Sequence, residues 1–186
     1  MPHGRKGIAV MNVRMLRIFA VVSLGVCAPS VALARDRYNV DCAVSATGIS
    51  FGQYSPLAGA PLDVAGSITT FCRRRDRGGG NGYGQNWWGD SVPYTVTLSA
   101  GAGGSFSARA MRSGANSLSY NIYTDPTYSV VVGDGSGGSQ AIQGRVTLSP
   151  WGGFGYSTST VYGRIPAGQN AAPGAYGDLL IVTVNY

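Results

Sequence analysis

Residues 163–186 read GRIPAGQNAAPGAYGDLLIVTVNY, and the fold turns on how this stretch is read. Gly, Pro and Asn crowd its first half, which is the composition of a turn-rich approach. Residues 179–186 then read as a strand, β-branched and apolar. Successive strand side chains point to opposite faces. Leu180, Val182, Val184 and Tyr186 therefore share one face, and it is wholly apolar. Leu179, Ile181, Thr183 and Asn185 share the other, which is half apolar. A strand apolar on both faces belongs inside a sheet, because an open edge of this kind pairs with whatever meets it. No residue follows Tyr186 in the sequence. The expectation is that another part of the chain, or a second chain, covers the open flank.

Upstream, the same reasoning finds further strands. Residues 42–51 form a first strand interrupted by Gly48, with Val44 and Ala46 before it and Ile49 and Phe51 after. Val64, Ile68, Thr70 and Cys72 share one face of a second. Residues 92–99, VPYTVTLS, place Val92, Tyr94, Val96 and Leu98 inward. A short strand is expected over 106–112, and 117–123, SLSYNIY, puts Leu118, Tyr120 and Ile122 on one face. Strands are also expected over 128–132 and 144–149. The run PWGGFGYSTS at 150–159 reads as an aromatic-rich loop, and 161–165 leads into the C-terminal stretch. No amphipathic helix is evident. Short strands separated by Gly-rich turns are the signature of a β-sandwich. The 29 glycines show no period, so they do not indicate collagen.

Residues 1–34 read as a secretory signal peptide. Arg5, Lys6, Arg14 and Arg17 make a basic start, 18–26 are an apolar core, and Ala32-Leu33-Ala34 offers a cleavage site after Ala34. Met11 and Met15 are alternative starts. Val26 stands before Cys27, where lipid attachment calls for a small residue. Cleavage changes the chemistry. Four of the 14 basic residues leave, ten remain against 8 acids, and the net charge falls from +6 to +2. The basic balance of the whole chain is therefore no argument for nucleic acid. The only histidine, His3, leaves too, and the remainder has neither Lys nor Glu. That inventory lacks a Ser–His or Cys–His nucleophile pair and the commonest zinc ligand. Two Asp can serve a glycosidase, but no pattern pairs them here. The expectation is a protein without catalysis, cofactor or metal. Cys42 and Cys72 remain, and in an exported chain they most simply form one disulfide, two free thiols being the alternative. In the chain-entropy picture such a bridge stabilises by about 3–4 kcal/mol.

Several pieces, taken in order, carry a resemblance. They are the Cys42/Cys72 pair, ISFGQYSPL at 49–57, MRSGANSLSYNIYTD at 111–125, VYGRIPAGQ at 161–169 and GAYGDLLIVTVNY at 174–186. Over 42–186 the chain resembles the spore coat protein U domain family, secreted subunits of archaic chaperone–usher pili and spore coats. The resemblance implies an all-β, immunoglobulin-like β-sandwich over 35–186, incomplete for want of its last strand and completed by donor-strand complementation. It implies a groove formed by Leu180, Val182, Val184, Tyr186 and Val44. In the family a periplasmic chaperone fills that groove. The N-terminal extension of a neighbouring pilus subunit then replaces it by donor-strand exchange at the outer-membrane usher. The physical basis is β-augmentation, with main-chain hydrogen bonds for affinity and alternate side chains in pockets for specificity. Export through the periplasm to the surface or fimbrium of a Gram-negative bacterium follows, with no nucleic acid partner and no stable membrane insertion.

Two departures qualify the likeness. Where the family makes a short turn, residues 73–91, RRRDRGGGNGYGQNWWGDS, look like an insertion. It is either a solvated connector or an adhesive loop built on Arg74, Tyr83, Trp87 and Trp88, since exposed aromatics flanked by Arg are what binding surfaces use. Residues 35–41, RDRYNVD, are too short and polar to serve as a donor strand, which needs about ten alternating residues. A subunit that accepts a strand without giving one sits at a tip or acts as a terminator. The alternative is a free secreted carbohydrate- or surface-binding module.

Overall fold

The computed structural model describes residues 6–14, 40–75, 91–150 and 153–186. These residues form an all-β sandwich. Its strands are β1 (Lys6–Arg14), β2 (Val40–Ala46), β3 (Ile49–Ser50), β4 (Leu62–Arg74), β5 (Ser91–Leu98), β6 (Ala110–Ser113), β7 (Asn116–Ser119), β8 (Asn121–Tyr123), β9 (Ile142–Thr147), β10 (Phe154–Ile165) and β11 (Gly177–Asn185). One sheet runs β3-β1-β11-β5-β9, with β6 joined to β11 and β7 to β6. The other runs β2-β4-β10-β8. Among the described residues the only helical piece is a 3-10 turn at Gly101–Gly103, and no helix is long and apolar enough to cross a membrane.

The core follows the alternation. Val92, Tyr94, Val96 and Leu98 of β5 are buried, as are Ile68 and Cys72 of β4 and Leu180, Val182 and Val184 of β11. Between the sheets the Tyr94 hydroxyl donates to Ser157 Oγ at 2.9 Å.

Four expectations about local structure need correction. The stretch 117–123 is not one strand. It divides at Tyr120, with β7 in the first sheet and β8 in the second. Leu118, Tyr120 and Ile122 are all buried all the same, so the apolar period survives while the chain crosses between layers. Residues 128–132 make only isolated bridges, Tyr123 with Val131 and Val132 with Gln140. Asp125 explains this, because its carboxylate accepts from the Val130 amide at 2.9 Å and from the Thr127 and Ser129 amides. Amides bound to a side chain cannot join a ladder. The strand expected over 106–112 begins only at Ala110, directly after the buried Arg109.

The fourth correction is the largest. From Phe154 onward, the expected aromatic loop is the start of the 12-residue strand β10. Its alternation is inverted relative to an ordinary amphipathic strand, with large side chains outward and Gly155, Ser157 and Ser159 on the other face. Gly155 is needed there, for a Cβ would sit 2.1 Å from the Thr147 carbonyl oxygen of β9.

Candidate functional site: the groove beside the last strand

β11 is an interior strand, as its two apolar faces require. On one flank it pairs antiparallel with β5, Val182 against Leu98 and Val184 against Val96. On the other it pairs antiparallel with β1 along nine residues, from Lys6 against Asn185 to Arg14 against Gly177. Beyond β1 lies β3, parallel, with Val13 against Ile49 and Arg14 against Ser50. The space between β11 and β3 is thus one strand wide.

Here the structure departs from the sequence reading. In the whole chain the open flank of the last strand is covered by the chain's own residues 6–14, which the sequence assigned to the leader. Their order, KGIAVMNVR, explains why they fit. Met11 is fully buried and Gly7 and Ala9 are half-buried, while Ile8 and Val10 face solvent. That is the period of two a strand needs, hidden in the sequence beneath a basic, leader-like composition. Gly7 lies closest to the opposite sheet. A Cβ there would be 2.9 Å from the Cys42 carbonyl oxygen and 2.9 Å from Val184 Cγ1.

The residues expected to form the groove come together. Leu180, Val182 and Val184 are fully buried on the strand that β1 and β5 flank. Val44 is buried on the inner face of β2, and Tyr186 packs partly buried against the same core. Cys42 and Cys72 stand opposite each other on β2 and β4 and are disulfide-bonded. The bridge ties the strand beneath the groove to its own sheet. Fully burying one large apolar side chain such as Met11 contributes about 1.5–3 kcal/mol, so an occupant of this slot is held by apolar contact as well as by its ladder of hydrogen bonds.

At the entrance of β11 the structure adds residues that periodicity did not single out. Asp178 is nearly buried, accepts from the Tyr120 hydroxyl at 2.7 Å, and accepts from the Ala102 and Leu179 amides at 2.8 Å each. Burial, and then the bond to Asp178, pushes the Tyr120 hydroxyl pKa well above its ordinary value. The signal for this anchor is a lone acid placed directly before an apolar strand. A cleft of ≈ 810 Å³ opens nearby between 50–56 and 171–176, with Tyr54 and Tyr176 among its lining. No carboxylate, imidazole or thiol lines it, and among the described residues no group of three His, Cys, Asp or Glu is placed to hold a metal.

Of the expected adhesive loop, Tyr83, Trp87 and Trp88 lie outside the described residues. Arg74 is the last residue of β4, opposite Val40, and its amide donates to the Gly153 carbonyl at 2.7 Å.

No curated protein matches the chain. Among solved structures, the chain matches part of the CsuC–CsuE chaperone–tip adhesion subunit pre-assembly complex of archaic chaperone-usher Csu pili from Acinetobacter baumannii. The identity is 19%, the match covers 79% of this chain and 40% of that one, and the TM-score is 0.45. The family model for the Spore Coat Protein U domain matches residues 30–183. With its disulfide-tied all-β sandwich and a one-strand slot beside its last strand, the chain belongs to the Spore Coat Protein U domain family.

Proposed function

We propose that the protein is a structural subunit of a chaperone–usher pilus or coat-like surface assembly, joined to its partners through the slot beside β11. The observation that carries this reading is the nine-residue antiparallel pairing of Lys6–Arg14 with β11. The same slot admits a strand of the right period with a small residue opposite Val184. Cleavage after Ala34 removes Lys6–Arg14 and leaves Leu180, Val182 and Val184 without their cover. A periplasmic chaperone then supplies the strand, and a neighbouring subunit replaces it at the usher. The short polar segment 35–41 supports an acceptor without a donor, hence a terminal position, at the tip of the assembly or as its terminator. The insertion at 73–91, with Trp87 and Trp88, is then the candidate for adhesion.

A second reading rests on the same pairing. If Lys6–Arg14 is retained, the sandwich is closed within one chain, and the protein is a free secreted binding module.

One experiment tests the first reading. The chain lacking 1–34 is produced in the periplasm with and without its chaperone, and the extract is resolved by size exclusion. The subunit reading expects a soluble one-to-one complex, with the lone truncated chain lost to aggregation. A soluble truncated monomer without chaperone would show that the slot needs no donated strand and would overturn the assembly reading.

A further inference from the structure

The outer face of the second sheet carries a stripe that the slot does not use. Along β10, Phe154, Tyr156, Thr158, Thr160, Tyr162 and Arg164 alternate outward over about 33 Å of strand. β4 lies beside it in register, with Phe71 opposite Tyr156, Thr69 opposite Thr158 and Ser67 opposite Thr160. At one end three aromatic side chains are open to solvent, Phe71 by 40%, Phe154 by 49% and Tyr156 by 72%. The middle is hydroxyl-bearing, and Thr69 Oγ1 and Thr158 Oγ1 lie 2.9 Å apart.

The far end is aromatic again. Tyr128 packs edge-on against Tyr123 at 5.4 Å and against Tyr162 at 6.4 Å. Its ring is held under the Arg164 guanidinium, 3.5 Å from centroid to Cζ. Arg164 is fixed in turn by two hydrogen bonds to Asp63, both 2.7 Å. Tyr128 is also the one described non-glycine residue with positive φ, at 58°. A bulky side chain in that conformation is uncommon and persists where surrounding structure demands it.

A protein-binding surface concentrates its apolar groups in one dry centre with a polar rim. This face does the reverse, with rings at its two ends and hydroxyls between them. Such spacing suits a ligand that presents apolar C–H faces and hydroxyl groups in alternation along an extended line. The arginine at the tyrosine end is already paired with Asp63, so that end does not select for an anion. We propose that this face binds a neutral polysaccharide laid along β10, its pyranose rings stacking on Tyr156 and Tyr162 and its hydroxyls bonding to Thr158 and Thr160. The site lies on the sheet that lacks β11, so it stands whether or not the slot reading is right.

The test is isothermal titration of the full chain with cellohexaose, chitohexaose and mannohexaose. At least one is expected to bind. Tyr156→Ala and Tyr162→Ala should each weaken that binding roughly tenfold, the order of one lost ring contact. Tyr156→Phe should retain it, and Leu57→Ala, at a 95% exposed side chain off the stripe, should leave it unchanged. Circular dichroism confirms that each variant folds. The proposal is overturned if none of the three sugars binds, or if binding survives both alanine substitutions. It is also overturned if those substitutions abolish association with another protein while no sugar binds, which would make the face a protein interface.

Discussion

Arg109 has no exposed surface, yet its side chain carries a guanidinium. The fork serves three oxygens: Nη1 donates to Asn121 Oδ1 at 2.9 Å, and Nη2 donates to the carbonyls of Ser99 at 2.9 Å and Val132 at 2.8 Å. Among the described residues Nε has no hydrogen-bond partner, and the Phe106 ring lies 5.2 Å from Cζ. Burial lowers the Arg109 pKa, and Tyr120, Asp178 and Asp134 partly offset it. The side chain therefore joins a loop after β5, the start of β8 and the segment at Val132. An ammonium cannot reproduce the planar fork. Arg109→Lys is expected to cost about 1–3 kcal/mol, the range for leaving a buried hydrogen-bonding group unpaired. Urea unfolding of the full chain measures it, and an unchanged midpoint would show that the three oxygens find other partners. Asp125 makes a second prediction at this scale. The Thr127 hydroxyl first, and then the Val130 and Ser129 amides, hold its carboxyl well below the usual carboxylate range, against a smaller opposing effect of burial. A folded pKa below the unfolded value near 3.9 gives stability that is complete above that value and lost as pH falls through the lower one. Amide spectra recorded down an acid titration should show 125–130 loosening only below about pH 4. Loosening already near neutral pH would mean that the carboxylate does not hold the turn.

β11 and β10 stand at opposite ends of legibility. β11 could be read from residues 179–186 because its inward side chains are large and apolar, and burial and period point the same way. β10 could not, because half its length reverses the usual rule: the large side chains face water and Gly155, Ser157 and Ser159 face in. A search for apolar alternation takes that for a loop. β1 was hidden for a different reason. Its basic residues and its place before an apolar run carry a targeting signature, and the inward order Gly7, Ala9, Met11 is short and small. The slot gives an element-scale prediction. Val182→Asp puts a carboxylate where the side chain has no exposed surface, at a cost of several kcal/mol, and capture by the chaperone should be lost. Gly7→Val acts from the other strand, because its Cβ alone comes within 2.9 Å of a backbone oxygen on β2. In the full chain it should release β1 while the truncated chain, which lacks residue 7, keeps its chaperone binding. Hydrogen exchange along 177–185 reads both, and protection equal to that of the unaltered chain in either variant would argue against the slot geometry.

For the whole molecule, the sandwich carries two separate features, the slot beside β11 and the outer face of the second sheet. The slot beside β11 holds one strand, β1, in the whole chain. The outer face of the second sheet presents the side chains of β4 and β10, which pair along twelve residues. The disulfide between Cys42 and Cys72 secures β2, which backs the slot, to β4, which carries part of that outer face. The sequence by itself determined the all-β class, the inward faces of β4, β5 and β11, the cysteine pair and the family likeness. All of these rest on local period and composition, which act within one strand. The tertiary structure alone decided which segment fills the flank of β11, where the chain crosses between sheets at Tyr120, and that Phe154–Ile165 is a strand. Those outcomes depend on what lies across the sandwich: a carbonyl too close for any residue but glycine, a buried guanidinium, a slot one strand wide. Contacts between residues far apart in the chain set them, and no window of the sequence contains both partners.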